Sequence, residues 1–181
     1  MTLAPLPTFR YHPDPVGTGE VRAGSGACRC CGRQRRYLYT GPVYGQEQLH
    51  DLLCPWCIAD GTAAVRFGAT FFDIGWGISA DVAPAVLDEL SHRTPSFTGW
   101  QQEHWLYHCD DAAAYLGRAS YQRLRRHPDA LEMLLHENDD YGWSEAASSE
   151  WVRQMSTEGS PTAYLFRCLH CHADLAYADM D

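Results

Sequence analysis

The sequence predicts an α+β protein of short strands and helices arranged around zinc-ribbon-like Cys-x-x-Cys knuckles, and three observations carry that reading. Three such pairs punctuate the chain, Cys28/Cys31, Cys54/Cys57 and Cys168/Cys171. Aromatic-rich segments, YLYTGPVY after the first pair and TAYLFR before the third, read as ribbon strands. Between them, Val82, Val86, Leu87 and Leu90 recur at helical spacing. We expect one domain over residues 1–181, with a knuckle lobe at 28–57 and a C-terminal part at 100–181.

In chain order, residues 1–27 hold four prolines and four glycines and read as an irregular arm, with the residues before Pro13 and Pro15 pushed into extended conformations. Tyr37 to Tyr44 reads as a strand that bends at Gly41-Pro42, and Glu47 to Leu53 as a short helix entering the second knuckle. A further short helix is expected over 58–67, weakened by Gly61, and a strand end or buried loop over 68–78. Asp81 is the expected N-cap of a helix over 82–92. WQQEHWLYH (100–108) alternates as a strand does, and AAAYLG reads as a short helix capped by Asp110 or Asp111 and stopped by Gly117.

Ser120 opens a basic helix that restarts at Pro128 as ALEMLLHEN, and Ser144 caps a last helix to about Met155. Gly159-Ser160-Pro161 ends it, and the final stretch reads strand, knuckle, strand. The sequence shows no internal repeat and no low-complexity tract.

Four thiolates on two tight turns can surround one zinc ion tetrahedrally, so Cys28, Cys31, Cys54 and Cys57 form the first expected metal site. The pairs are separated by 22 residues, close to the spacing of known four-cysteine sites. Gly32 supplies the positive φ that lets backbone N–H groups fold towards sulfur.

A second zinc site is expected from Cys109, Cys168 and Cys171. Its fourth ligand is open among His104, His108 and His172, with His108 first because it stands beside Cys109 where the chain should turn. Cys30, between the first pair, reads as a spectator thiol.

The net charge of −9 and pI near 5.4 argue against general binding to nucleic acid or anionic membrane, and suit a basic protein partner such as a toxin domain. The N-terminus, MTLAPLPTFRYHPDP, lacks the basic and apolar regions of a signal peptide, and no apolar stretch is long enough to span a membrane. A cytoplasmic location is therefore expected, where eight cysteines favour metal binding over disulfides.

FRYHPDPVGTG, CCG, YTGPVYG, LCPWCIADGTAA, WQQEHWLYHC and the terminal CLHC with LAY resemble the CbrC family, from about Phe9 to Tyr177. That resemblance implies a small cytoplasmic bacterial protein linked to colicin tolerance, with no established biochemical activity. It also implies, in some relatives, a cysteine where Ala113 stands, so either a histidine replaces it here or the second site is degraded.

The function expected is a zinc-binding, non-enzymatic adaptor or immunity-like protein, since four-cysteine sites leave no position for reactive water. Its contact residues would come from Glu137, Asp139, Asp140, Tyr141 and Trp143, a run that otherwise reads as a solvated helix end. One alternative is a nucleic-acid-binding ribbon using the arginine groups 29/33/35/36 and 118/123/125/126. Another is a zinc hydrolase at the second site with His108 or Glu103 as proton acceptor, or an acid–base pair of His12 and Asp14. CPWC also has the outline of a thiol oxidoreductase motif, but a matching pair upstream explains it better as metal binding. HExxH, Gly-x-Ser-x-Gly, phosphate-loop and deaminase signatures do not occur.

Overall fold

The structure is a computed structural model that describes residues 5–74 and 81–181, the side chains of 139 and 140 excepted. Helices and small antiparallel sheets are mixed, an α+β arrangement as the knuckles predict. The chain forms two compact units, Met1–Thr98 and Gly99–Asp181.

In the first unit, β1 (Val21–Ala27) pairs antiparallel with β2 (Gln34–Tyr39), and the first knuckle is the loop between them. The arm expected over 1–27 therefore ends in a strand. Its signal is weak because most of β1 is exposed on both faces, which leaves no alternation to read. The strand expected over Tyr37 to Tyr44 stops at Tyr39 and survives beyond it only as isolated bridges, Tyr39 to Leu53 and Tyr44 to Thr70. No helix forms over Glu47 to Leu53; turns and Asp51 at φ 58 occupy that stretch.

Helix α1 (Pro55–Ala59) starts inside the second knuckle, with Pro55 in its first turn where no N–H is required. Gly61, at φ 76, separates it from α2 (Thr62–Phe67), splitting the helix expected over 58–67. Helix α3 (Pro84–Arg93) follows with Ala83, not Asp81, at its N-cap. The expected loop over 68–78 is described only to residue 74. Tyr39, Leu53, Ile58 and Phe71 form the centre of this unit's core, with Tyr39 and Phe71 edge to face at 5.6 Å.

In the second unit, β3 (Tyr107–His108) and β4 (Asp111–Ala112) make a minimal hairpin. The strand expected over 100–108 is thus confined to its last two residues. The helix expected over AAAYLG is instead β5 (Ala114–Ala119), paired to β6 (Thr162–Arg167), which pairs in turn with β7 (Asp174–Asp179). Burial on both faces removes the polar alternation from β5, and Gly117 (φ 108) marks a bulge in the ladder where a helix stop was expected.

Helices α4 (Tyr121–Leu124), α5 (Pro128–Asp140) and α6 (Glu145–Arg153) complete the unit. Ser144 caps α6, its hydroxyl accepting from the Ala147 N–H. Leu124, Leu134, Val152 and Leu165 pack this layer together. Among the described residues, no helix is long and apolar enough to cross a membrane.

Candidate metal centres

Both outer knuckles are one backbone device used twice. Ala27 faces Gln34 across a six-residue loop, and Arg167 faces Asp174 across another. In each, the first cysteine's N–H closes the loop, Cys28 to the Arg33 carbonyl and Cys168 to the Ala173 carbonyl, both at 2.9 Å. The residue after the second cysteine takes positive φ in both, Gly32 at 68 and His172 at 64. This turn aims two sulfurs to one side while the strands continue on the other.

In the first unit, Cys54 and Cys57 at the start of α1 complete the set begun by Cys28 and Cys31. The four Sγ atoms lie within 4.8 Å of one another. Sulfur separations are 4.0 Å for Cys28 to Cys57, 4.0 Å for Cys31 to Cys54 and 3.6 Å for Cys54 to Cys57. A tetrahedron with metal–sulfur bonds near 2.3 Å has edges of about 3.8 Å, so these three separations match a zinc-sized cage. The same separations are far longer than a disulfide bond, and all eight cysteines are free.

Electrostatics in this cage separate the thiols. The Cys54 side chain at its sulfur lowers the Cys28 thiol to about 4 against the effect of burial, helped by backbone N–H groups of Cys31, Cys54 and Cys30. The Cys54 N–H donates to the Cys28 Sγ at 3.3 Å. Burial pushes Cys57 up to about 12, and the Cys28 sulfur followed by burial raises Cys54 further. One sulfur thus carries the charge readily, and a dication would displace protons from the others. Arg35 reaches the Cys31 Sγ at 3.8 Å and lies over the Trp56 ring, 4.6 Å from its centroid.

In the second unit, His108, Cys109, Cys168 and Cys171 bring their ligand atoms within 4.8 Å of one another. His108 Nδ1 is 3.2 Å from the Cys109 Sγ and 3.4 Å from the Cys171 Sγ, near the edge of about 3.6 Å that a mixed sulfur–nitrogen zinc tetrahedron has. The chain turns here through a two-residue hairpin loop, Cys109 at φ 53 and Asp110 at φ 58, the pattern of a type I′ turn. That turn lets two adjacent residues share one site, which an extended strand forbids.

N–H groups of His170 and Cys171 donate to the Cys168 Sγ at 3.4 and 3.5 Å. Burial works against charge on Cys168, but these donors, with His108 and the Cys171 side chain, bring its thiol down to about 6. Cys168 is buried, whereas Cys109 and Cys171 are exposed.

All eight residues expected as ligands therefore fall into two groups of four. His104 lies outside, its ring against Tyr177, and His172 serves as a turn residue. Cys30 also lies outside, its Sγ 3.7 Å from the Thr62 hydroxyl and its carbonyl accepting from Arg66. His170, which the sequence did not single out, places Nε2 2.9 Å from the buried Asp111 carboxylate and so ties the second knuckle to the β3–β4 hairpin. A histidine inside a knuckle carries no signal that separates such a role from ligation.

Several of the other candidate residues make contacts within the fold. His12 bonds the Pro95 carbonyl and the Thr18 hydroxyl, and Asp14 accepts from the Gly17 N–H. Burial lowers the His12 pKa to about 4, so its ring is neutral near pH 7. Arg123 is spent on the carbonyls of Arg118 and Leu116. Glu103 is buried and lies outside both ligand groups, whereas His108 is a member of the second. Glu137, Tyr141 and Trp143 are exposed, while the side chains of Asp139 and Asp140 lie outside the described residues.

Residues 6–180 match the family described as Uncharacterised protein family (UPF0167), and the chain belongs to it. Similar proteins are UPF0167 protein Mb2317 of Mycobacterium bovis and UPF0167 protein MT2352 of Mycobacterium tuberculosis, each 52% identical over 96% of this chain and 93% of the relative. UPF0167 protein PA1536 of Pseudomonas aeruginosa is 41% identical over 96% of this chain and 98% of the relative. No solved structure matches the chain. These matches correct the assignment to the CbrC family: the family and the relatives all carry the UPF0167 description, and the colicin connection drawn from that resemblance falls with it.

Proposed function

We propose that the protein holds two structural zinc ions and works by binding another protein rather than by catalysis. The observation that carries this reading is that each metal group already contains four protein ligands at tetrahedral spacing. A filled tetrahedron leaves no position for a metal-bound water, and so no Lewis-acid or hydroxide chemistry. His108, which a hydrolase at the second site would need as proton acceptor, is in this reading a ligand.

Soft thiolates with one imidazole suit zinc over harder divalent ions. Cysteines that hold zinc instead of pairing as disulfides suit a reducing compartment, which favours a cytoplasmic location in this reading. With a net charge of −9, a basic partner surface is favoured by complementary fields and fast association.

X-ray absorption at the zinc edge tests the closed sites. The expected spectrum is sulfur-dominated with a minor histidine contribution and no oxygen shell. An oxygen neighbour that exchanges with added cyanide or azide would overturn the structural reading of the second site.

A further inference from the structure

A cleft of about 880 Å³ opens beside the first metal group, within the size range of small-molecule sites. Arg33, Arg35, Arg66 and Arg93 line it, from the first knuckle, β2, α2 and α3 in turn. The whole chain has 14 arginines and no lysine against 23 acidic residues, so four arginines in one concavity are a local concentration of positive charge that offsets Asp60, Asp88 and the neighbouring metal-group thiolates. Two carboxylates share the lining, and both are engaged. Asp60 Oδ1 takes the Thr62 N–H and hydroxyl, while Asp88 pairs with His92 and Arg93.

Neutralising the metal cluster does not explain this concentration. Among the described residues, Arg35 alone of the four arginines reaches a cluster sulfur. Trp56, Ala64 and Val65 supply an apolar wall, Val65 being 87% exposed. Guanidinium groups match phosphate oxygens in their fork geometry, and an apolar wall suits a flat organic ring.

We propose that this cleft is a binding site for a phosphate-bearing small molecule of mononucleotide size, held by the guanidinium groups of Arg33, Arg66 and Arg93. The acidic remainder of the chain disfavours an extended polyanion, which separates this ligand from a nucleic-acid strand.

The test is calorimetric titration of the zinc-loaded full chain with ADP, with inorganic pyrophosphate and with a ten-residue oligothymidylate. Saturable one-to-one binding of ADP is expected, weakened by salt and at least about tenfold weaker in R33E/R93E. Arg33 is exposed and Arg93 keeps 43% of its side chain in solvent, so folding should survive, and unchanged zinc content checks it. The control R125E/R126E, in the second unit, removes the same charge and should bind as wild type does. Absence of ADP binding to wild type, equal binding in R33E/R93E, or oligothymidylate binding more tightly than ADP would each overturn the proposal.

Discussion

Gly32 and His172 hold the same place in two copies of one turn, each following the second cysteine of a knuckle and each at a φ between +60 and +70, 68 and 64 respectively. Glycine adopts that conformation freely, whereas a residue with a Cβ pays about 1 kcal/mol or more. His172→Gly should therefore stabilise the second unit by about 1 kcal/mol in urea melts while zinc content stays the same. A loss of zinc in that variant would mean that His172, not His108, is the ligand.

Cys54 joins α1 to the first metal group, and much of the first unit's core packs around these sulfurs. Metal binding to such a group is worth roughly 10 kcal/mol or more, comparable to the whole stability of a domain. Cys54→Ser should leave the first unit unfolded, seen as rapid amide exchange over β1, β2 and α1. A folded Cys54→Ser protein with full zinc content would contradict the assignment.

The His170 to Asp111 pair sits beside the second group, and Asp111 is 4% exposed. Partners that orient a ligand shell commonly change metal affinity by about tenfold or more. His170→Ala should lose its second zinc to a competing chelator about ten times more readily, with the first zinc unaffected. Equal loss from both sites would show that the pair does not position the hairpin.

His12 gives the first unit an acid sensitivity of its own. Its folded pKa, about 4, lies below the ordinary 6.5, so the unfolded chain binds the proton first as pH falls. The stability that neutral His12 contributes is complete above pH 6.5 and is lost progressively down to about pH 4, up to about 3 kcal/mol. Comparing wild type with His12→Gln by denaturant melts from pH 7 to 5 isolates this loss from acid release of zinc. Parallel stability curves for the two proteins would contradict it.

How much of this was legible in the sequence depends on the range of the information. Cys28, Cys31, Cys54, Cys57, Cys168 and Cys171 announce themselves by local spacing, and the strands around the third pair can be read from their aromatic and apolar residues. Cys109 and His108 could be joined to them only by supposing a turn, and the structure supplies one of a different kind, a hairpin in place of a strand-to-helix junction. AAAYLG was misread because alanine favours helix in isolation, while pairing to β6 decides the matter in the fold. β1 was missed because an exposed two-stranded ribbon has no buried face to impose a pattern. The cleft was invisible because its arginines are spread over 60 residues and meet only in three dimensions.

Two metal groups per chain is the central claim, and zinc stoichiometry measured by elemental analysis and native mass spectrometry tests it most directly. The expected result is two zinc ions per chain, falling to one in Cys109→Ser with the first unit still folded. One zinc in both proteins, or disulfide-linked cysteines in place of metal, would contradict it.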